Sequence, residues 1–452
     1  MNNNLKLAKR LMLKITEGSA TIELPKDVFY NKVQETNRDL TIAVIREYQK
    51  QLIQKHKSKK PFEGLKILEA LSATGLRSVR MAKEIPYINK IIANDFSESA
   101  VNVIQRNIDS NSVQNHVEAS HSDAVKLMVM NSAFKLNFDV VDIDPYGSAS
   151  PFLDSALMSI KNGGLLCVTS TDMAVLCGSA AGTSFGRYGC LTVRCCAIHE
   201  QGIRVLLSAI QNAASRFGKV IEPLISLSID FYARVFVTVR NCPGKVKYIS
   251  QKYSMLHSCD GCNSFHLEPL GSVKDEKFSP AKFTGDSGCQ ECGGKYNIAG
   301  PIWSDPIHHH EFVQNLFNSI NISDSEYPKA LDELPDVPFY FIPDNLSQVL
   351  TSTVPKTVYL RSAFKNAGYR ISESHCHTNA IKTDAPWSFI WETMRQVKIK
   401  FHDPNIPKKD DKMELAPRKK FILEKENTHN YQINFDPHPE IVQMIKERKM
   451  PR

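Results

Sequence analysis

The sequence predicts an α/β protein in which a parallel, doubly wound sheet ends in a hairpin and is followed by a smaller α+β region. Predicted strands and helices alternate from Leu65 to Arg240, the pattern of a parallel sheet covered by helices. Near Asn241 the composition changes and the periodicity fades. Beyond that point two C-x-x-C pairs bracket a span rich in glycine and lysine. These three observations place the first, larger domain before the cysteines.

Each element follows from local signals, of which the clearest is a buried strand ended by proline. Val140, Val141 and Ile143 form its apolar run, and Pro145 ends it because proline cannot donate to a sheet ladder. The predicted strands are Ala20–Leu24, Leu65–Leu68, Lys90–Ala93, Asp139–Ile143, Leu165–Thr169 after a turn at Asn162–Gly164, Ile221–Ser228 and Ala233–Arg240. The predicted helices are Asn37 to about His56, Ser78–Glu84, Pro151–Ile160, about Thr192–Phe217, Glu311–Ile320, Leu346–Ala367 and one after Trp387.

Length and composition describe an ordinary globular protein. The 452 residues, 42% hydrophobic and 23% charged, are enough for two or three domains with a large buried core. No apolar run reaches the roughly 18–20 residues that cross a bilayer, so we expect no membrane partner. No secretory signal is visible, and the 11 cysteines do not form a disulfide framework. We therefore expect a reducing, intracellular compartment.

Positive charge is concentrated toward the two ends of the chain. Residues 1–16 contain four basic side chains and no acid, and form either a basic amphipathic helix resembling a short mitochondrial presequence or a frayed terminus. From Arg395 to Arg452, 14 lysines and arginines stand against nine acids, within a net charge of +8 for the chain. We predict a basic tail at 396–452, which either holds a polyanion or remains a solvated end.

Acidic side chains follow three successive strands of the predicted sheet. Asp95, Asp123 and Asp144 each come at or just after a strand end, where open α/β sheets bind ligands. One such acid alone would be a helix cap, but three indicate a ligand. The turn at 69–77, E-A-L-S-A-T-G-L-R, offers small residues yet lacks the three-glycine dinucleotide fingerprint. We therefore expect an adenosine ligand without a pyrophosphate, with Asp95 at its ribose and Asp123 at its adenine amino group.

The stretch F-D-V-V-D-I-D-P-Y-G at 138–147 lies at the same predicted edge. Asp144 can accept a hydrogen bond, Tyr146 can stack on a flat ring, and Gly147 lets the backbone approach a ligand closely. The alternative is a plain exit from the strand, with Asp144 capping the next helix. The order of acids that ends in D-P-Y-G resembles S-adenosylmethionine-dependent methyltransferases that modify an amino group on a planar base.

More closely, the chain resembles the tRNA guanine-26 N2-dimethyltransferase family over about residues 15–395. The resembling segments are E-G-S-A at 17–20, V-F-Y-N at 28–31, N-R-D at 37–39, L-S-A-T-G-L-R at 71–77, N-D at 94–95, D-I-D-P-Y-G-S at 142–148, T-D at 171–172, L-C-G at 176–178 and K-T-D-A-P at 382–386. The resemblance implies a Rossmann-like class I methyltransferase domain at 17–245, a C-terminal tRNA-binding domain at 246–395, and methyl transfer from S-adenosylmethionine to N2 of guanine 26, giving the mono- and dimethylated nucleosides.

The resemblance also implies a role for each matching residue. Asp144 and Pro145 would act at the methyl-transfer site, while Phe29 and Tyr146 would stack on the target guanine. The cofactor would be lined by Arg38, Arg77, Asp95, Asp123 and Ala124. Two departures from the family pattern are Lys32, where proline is usual, and S-A-A-G at 179–182, which replaces a stretch that usually contains asparagine and proline.

Four cysteines predict a metal site. Cys259, Cys262, Cys289 and Cys292 form the pattern C-x2-C–x26–C-x2-C, which is typical of tetrahedral zinc. Four thiolates leave no open position, so we expect a structural Zn2+ ion in a module at about 256–300. The glycines at 293–294 permit a tight turn after the last cysteine, and the lysines of the module would help to hold tRNA.

Three other functions remain open on the residues alone. The first is an amino-methyltransferase that acts on another RNA or DNA base, and the second is an inactive zinc-ribbon protein that binds RNA. The third, a Rossmann oxidoreductase, is disfavoured by the missing glycine fingerprint. We expect a monomer located in the nucleus, the mitochondrion or both, with the cytoplasm as the alternative.

Overall fold

The computed structural model describes residues 12–25, 30–55, 61–275, 277–283, 285, 288–319, 330, 332–401, 422 and 430–449. Up to residue 246 the strands are β1 (Met12–Glu17), β2 (Ala20–Pro25), β3 (Leu65–Glu69), β4 (Ile88–Asp95), β5 (Val117–His121), β6 (Phe138–Ile143), β7 (Ile160–Ser170), β8 (Lys219–Ile229) and β9 (Tyr232–Asn241). The helices are α1 (Glu35–Lys55), α2 (Leu76–Glu84), α3 (Glu98–Ser110), α4 (Ala124–Ala133), α5 (Leu153–Ser159), α6 (Met173–Leu176), α7 (Ala181–Tyr188), α8 (Ile198–Arg216) and α9 (Pro243–Val246).

The rest of the chain combines short strands with helices. The strands are β10 (Tyr253–Cys259), β11 (Phe265–Pro269), β12 (Gly271–Lys274), β13 (Lys277–Pro280), β14 (Tyr296–Trp303), β15 (Ile371–Ser374) and β16 (His377–Thr383). The helices are α10 (His310–Asn318), α11 (Pro343–Leu350), α12 (Thr357–Asn366), α13 (Trp387–Phe401) and α14 (Pro439–Lys449).

The central sheet has seven strands in the order β5-β4-β3-β6-β7-β9-β8. The five strands from β5 to β7 are parallel, and β9 runs antiparallel to both of its neighbours. The doubly wound sheet with a terminal hairpin, expected from the sequence, is therefore confirmed. The strand order reverses between β3 and β6, and the crevice outside the carboxyl ends at such a reversal is where open α/β sheets bind ligands.

Strand β6 shows why the sequence folds in this way. A parallel strand covered on both faces reads as a continuous apolar run, and Val140, Val141 and Ile143 are fully buried. Asp142 interrupts that run and is buried as well. A carboxylate in such a position requires compensating charges, because an isolated charge is costly to remove from water.

Several element limits differ from the sequence-based expectation. Helix α8 begins at Ile198 rather than near Thr192, because the side chain of Gln201 takes both the N–H and the carbonyl of Val193, at 3.1 and 3.0 Å. The expected helix at 346–367 is divided into α11 and α12 around Pro355, which has no N–H for a helical bond.

Two further expectations were wrong in detail. The expected turn at residues 162–164 lies inside β7, where the pairing with β6 shifts between Ile160 and Leu165. Residues 12–16, considered above as part of a basic helix, belong to β1, which pairs along its whole length with β2. Most of the expected basic tail and residues 1–11 fall outside the described residues.

The chain forms two compact units, each discontinuous in sequence. Unit 1 comprises Met1–Met173, Ala209–Lys247 and Ile307–Ser323, and contains the seven-stranded sheet. Unit 2 comprises Ala174–Ser208, Tyr248–Pro306 and Asp324–Arg452, and contains the three-stranded antiparallel sheet β11-β10-β14. Helix α8 contributes residues to both units. Among the helices of the described residues, none has the length and apolarity of a membrane span.

Candidate active site and metal centre

The carboxyl edge of the central sheet carries the three acids singled out by sequence. Asp95 is the last residue of β4, Asp123 follows β5 by two positions, and Asp144 comes directly after β6. These strands are parallel members of one sheet, so their carboxyl ends face the same way. The structure therefore places all three acids along a single edge, beside the reversal of strand order.

The turn between β3 and α2 is fixed to the neighbouring strand. The N–H of Ser72 donates to the carbonyl of Asn94 at 2.8 Å. Gly75 has a φ of +74°, and a Cβ at this position would lie 3.1 Å from Cγ2 of Ile104. Two features therefore favour glycine at this position: the positive φ, and the close approach of α3, which leaves little room for a side chain.

Asp95 connects that turn to the start of α3. Its Oδ2 accepts a hydrogen bond from the N–H of Ala73 at 2.9 Å, and its Oδ1 accepts one from the N–H of Ser97 at 2.9 Å. A carboxylate offers about four acceptor positions, so further donors can bind to it. Asp95 thus orders the backbone of the turn and retains capacity for ligand hydroxyl groups.

Asp123 is the N-cap of α4. Its Oδ1 accepts from the N–H of Lys126 at 2.8 Å, and Ala124, the first residue of the helix, is buried. Asp123 is therefore a helix cap, which is the alternative that the sequence left open for a single acid at a strand end. Capping occupies one oxygen position and leaves the exposed carboxylate able to accept from a ligand as well.

Asp144 does not cap the helical turn that follows it, whose N-cap is Ala149. Instead, Nη2 of Arg77 donates to Oδ2 of Asp144, and Nη1 donates to Oδ2 of Asp142 at 2.5 Å. The Nε atom of Arg77 lies 3.9 Å from Oε1 of Glu69. Burial by itself would lower the pKa of Arg77, but the three carboxylates raise it well above its ordinary value. Arg77 therefore stays charged inside the sheet edge.

Two residues that sequence reasoning missed complete this group. Arg234 on β9 forms an ion pair with Asp142 at 2.8 Å, and Glu69 lies opposite Asp142 in the β3–β6 register. We call Glu69, Arg77, Asp142, Asp144 and Arg234 the arginine–carboxylate cluster. Two sequence signals could have indicated the pair: Arg234 is a single arginine in the apolar run A-R-V-F-V, and Asp142 is an acid inside an apolar strand. Each requires a partner of opposite charge.

The pKa values within this cluster reflect burial opposed by the arginines. Burial raises the pKa of Glu69 to about 7, although Arg77 and a hydrogen bond from Ser78 act in the opposite direction. Burial also acts to raise the pKa of Asp142, but Arg234 and Arg77 bring it below its ordinary value. Asp142 is therefore ionised at neutral pH, whereas Glu69 titrates near it.

The loop after Asp144 presents an aromatic ring. Tyr146 is 88% exposed, and Pro145 before it is buried. Gly147 is held to the strand β7 end from both sides: its N–H donates to Oγ1 of Thr171 at 2.6 Å, and its carbonyl accepts from the N–H of Thr171 at 2.9 Å. Phe29, the other expected stacking residue, lies outside the described residues.

Arg38 is fixed by a buried carboxylate. Both oxygens of Glu17 accept from it, at 2.6 and 2.5 Å, and Glu17 also accepts from Arg80 at 2.7 Å and from the hydroxyl of Tyr30 at 2.8 Å. Burial would raise the pKa of Glu17, but these arginines lower it. Glu17 thus ties Arg38 to Tyr30, the residue that follows Phe29.

The four predicted metal ligands converge in unit 2. Their Sγ atoms all lie within 4.8 Å of one another. Cys259 and Cys292 have Sγ atoms 3.4 Å apart, and those of Cys262 and Cys289 are 3.6 Å apart. A tetrahedral site with zinc–sulfur bonds of about 2.3 Å places its sulfurs roughly 3.8 Å apart. The four cysteines therefore fit a structural zinc ion with no open position.

The antiparallel sheet of unit 2 brings the two cysteine pairs together. Cys259 ends β10 and lies opposite Tyr296, the first residue of β14, so the second pair comes directly before the neighbouring strand. A Cβ on Gly294 would lie 3.1 Å from two of the sulfurs, which explains a glycine there. Nε1 of Trp391 on α13 donates to Oγ of Ser264 at 2.7 Å, and the cysteines share one core with this helix.

Comparison with known proteins gives one consistent result. A family model described as N2,N2-dimethylguanosine tRNA methyltransferase matches residues 10–395. The tRNA (guanine(26)-N(2))-dimethyltransferase of Schizosaccharomyces pombe is 39% identical, over 94% of this chain and 88% of that protein. The enzyme of the same description from Homo sapiens is 36% identical, over 84% of this chain and 67% of that protein.

A mitochondrial relative and a solved structure extend the comparison. The mitochondrial tRNA (guanine(26)-N(2))-dimethyltransferase of Saccharomyces cerevisiae is 35% identical, over 84% of this chain and 78% of that protein. The structure of Trm1 from Pyrococcus horikoshii in complex with S-adenosyl-L-methionine is similar with a TM-score of 0.71 and 27% identity. It covers 84% of this chain and 99% of that chain.

Proposed function

The chain belongs to the N2,N2-dimethylguanosine tRNA methyltransferase family, and from this membership we infer that it transfers methyl groups from S-adenosylmethionine to N2 of guanine 26 in tRNA. The products are N2-methylguanosine and N2,N2-dimethylguanosine. The observation that carries the proposal is the Asp144 carboxylate, held by Arg77 at the sheet edge and followed at once by the exposed ring of Tyr146. An acceptor for an amine and a stacking platform for its base are thus adjacent in the chain.

The acids of the sheet edge fit S-adenosylmethionine better than a nucleotide with phosphates. Asp95 and Asp123 are hydrogen-bond acceptors, which suit ribose hydroxyls and an adenine amino group but repel a pyrophosphate. When bound, the cofactor supplies an electrophilic methyl group. We propose that Asp95 binds the ribose, that Asp123 and Ala124 bind the adenine, and that Arg38 and Arg77 line the remaining pocket.

The target base requires an aromatic environment. A guanine inside a folded tRNA is reached only after it leaves its stack, and aromatic rings recover part of the lost stacking energy. We propose that Tyr146 and Phe29 enclose the base. The exposure of Tyr146 supports this role, because a large aromatic side chain in contact with solvent is available to a planar ligand.

Asp144 and Pro145 are proposed to accept hydrogen bonds from the exocyclic amine of the target guanine. The exocyclic amine of guanine is a weak nucleophile because its lone pair is delocalised into the ring, so its alignment with the methyl group lowers the barrier. Positive charge develops on the nitrogen, which the Asp144 carboxylate stabilises, and the Pro145 carbonyl accepts the second N–H. Pairing of Oδ2 with Arg77 leaves Oδ1 of Asp144 to face the amine.

The zinc module and the remaining part of unit 2 are proposed to hold tRNA. A four-thiolate site fixes the turns at 259–262 and 289–295, the second of which carries the exposed Lys295, so metal loading would set the shape of this surface. We propose that the enzyme works as a monomer without a membrane partner. Because tRNA is its substrate, we place it inside the cell, in the nucleus, the mitochondrion or both.

The test is nucleoside mass spectrometry on tRNA incubated with the full-length protein and methyl-labelled cofactor. We expect label in N2-methylguanosine and N2,N2-dimethylguanosine for a transcript with guanine 26, and none for the matched transcript in which that guanine is replaced by adenine. Label in another nucleoside, or equal label in both transcripts, would contradict the assignment of the target.

A further inference from the structure

Arg234 is a fully buried arginine whose two terminal guanidinium nitrogens both have polar partners. Nη1 donates to Oγ1 of Thr169 and Nη2 donates to Oγ1 of Thr41, both at 2.8 Å. Its Cζ lies 4.7 Å from the ring centre of Phe236. The side chain starts on β9 and reaches past β7 to pair with Asp142 on β6 at 2.8 Å. Its position is therefore determined by a helix and three strands.

The contacts continue from Arg234 to the proposed catalytic carboxylate. Asp142 uses Oδ1 for Arg234 and Oδ2 for Arg77, the latter at 2.5 Å. Arg77 then uses its second terminal nitrogen for Asp144. Arginine presents its donors in a rigid planar fork, so fixing one nitrogen also fixes the direction of the other. A well-anchored Arg234 thereby determines where the Asp144 carboxylate lies.

We propose that Asp142 and Arg234 are positioning residues for methyl transfer, which hold Arg77 so that Arg77 aims Asp144 at the amine of the target base. The proposal rests on the function inferred above. Neither residue needs to touch the cofactor or the base. Misplacement of reacting groups by about 1 Å can cost on the order of 100-fold in rate, so a small rotation of Arg77 is enough to matter.

Stability alone does not account for this arrangement. Burying two arginines and two acids incurs a large desolvation cost, and apolar residues of similar volume often give equal or greater stability. What a chain of fork-shaped ion pairs provides, and apolar packing does not, is a fixed direction for the charge at its end. That end is Asp144, the only member of the chain Arg234–Asp142–Arg77–Asp144 that is appreciably exposed, at 21%.

The test compares Asp142→Asn and Arg234→Lys with the wild-type protein. We expect kcat for methylation of tRNA to fall by about 10- to 100-fold in each variant, while the Kd for S-adenosylmethionine and the KM for tRNA stay within a few-fold. Arg234→Lys keeps the buried charge, so it remains informative if Asp142→Asn does not fold. The matched control is Arg204→Lys, which alters an equally buried arginine of unit 2 that pairs with Glu200 at 2.7 Å. We expect a lower melting temperature and an unchanged kcat there.

A double-mutant cycle separates positioning from general destabilisation. If Asp142 acts through Asp144, the double variant Asp142→Asn/Asp144→Asn should be no slower than Asp144→Asn alone. Additive losses of kcat in the double variant would overturn the proposal, and so would single variants that fold and keep the wild-type kcat. In both cases methylation of guanine 26 by the wild type would leave the proposed function intact. Absence of methylation by the wild type would instead reject the function itself.

Discussion

Replacing Asp144 by asparagine should separate catalysis from folding. The change keeps the size of the side chain and removes its charge, while Arg77 retains Asp142 at 2.5 Å and Glu69 at 3.9 Å. The hydrogen bond from Arg77 then goes to a neutral amide oxygen instead of a carboxylate, which lowers the free energy of unfolding by about 1 kcal/mol. Because Arg77 donates to one side-chain oxygen, the amide oxygen of the asparagine should turn to Arg77 and its NH2 group to the target amine. Replacement of the charged acceptor there by a donor should lower kcat by about 10²- to 10⁴-fold, which raises the barrier by roughly 3–5 kcal/mol.

The assay for Asp144→Asn is single-turnover methylation of the guanine-26 transcript, with cofactor affinity measured by calorimetry. We expect the rate to fall by the factor given above and the Kd for S-adenosylmethionine to stay within a few-fold, because the proposed partner of Asp144 is the target base and not the cofactor. The matched control is Asp154→Asn, which removes an exposed acid paired with Arg216 and should change neither quantity. A folded Asp144→Asn variant with a near wild-type rate would refute the role assigned to this carboxylate.

Three further predictions follow from other parts of the structure. Asp95→Ala should weaken cofactor binding by about 1.5–3 kcal/mol, and an unchanged dissociation constant by calorimetry would remove Asp95 from the ribose. Cys289→Ser should abolish binding of the one Zn2+ ion expected per chain and weaken tRNA binding. Cofactor binding should persist, since the acids of the sheet edge belong to unit 1. Metal analysis and titrations with tRNA and cofactor test this, and loss of both affinities together would contradict it. Burial raises the pKa of Glu69 in the folded state from 4.5 to about 7. Between these pH values the folded state keeps a proton on Glu69 that the unfolded state has released, so the contribution of Glu69 to stability falls as the pH rises from about 4.5 to 7. Denaturation of wild type and Glu69→Gln at pH 5 and pH 7 should show a relative loss of about 2 kcal/mol for the wild type. A pH-independent difference would contradict the shift.

The sheet and its edge were predictable because they depend on local patterns. Apolar runs ended by Asp95 and Asp144 gave the strands, and parallel strands necessarily bring their carboxyl ends to one edge. The metal site at Cys259, Cys262, Cys289 and Cys292 was predictable from the spacing of the cysteines alone, and its formation requires only that the two C-x-x-C turns lie next to each other. In each case a few neighbouring residues carry the signal, so no long-range contact has to be known.

What could not be predicted depends on contacts between distant segments. The ion pair of Arg234 with Asp142 joins residues on β9 and β6, and from the sequence Arg234 is only one basic residue in an apolar run. On helix α8 the polar side chains of Arg204 and Gln211 are buried, because their partners come from elsewhere in the chain. The first residue of α8 was missed because Gln201 reaches back to Val193, a contact that propensity does not encode.

The discontinuity of the two units has a consequence for how the chain is made and dissected. Unit 1 includes Ile307–Ser323, so it cannot be complete until the ribosome has passed these residues, long after the strands of its sheet have emerged. Unit 2 begins at Ala174 and ends at Arg452, so its segments alternate with those of unit 1 during synthesis. No single cut in the chain separates the two units, and a fragment ending near residue 245 would lack the Ile307–Ser323 part of the unit that carries the acids.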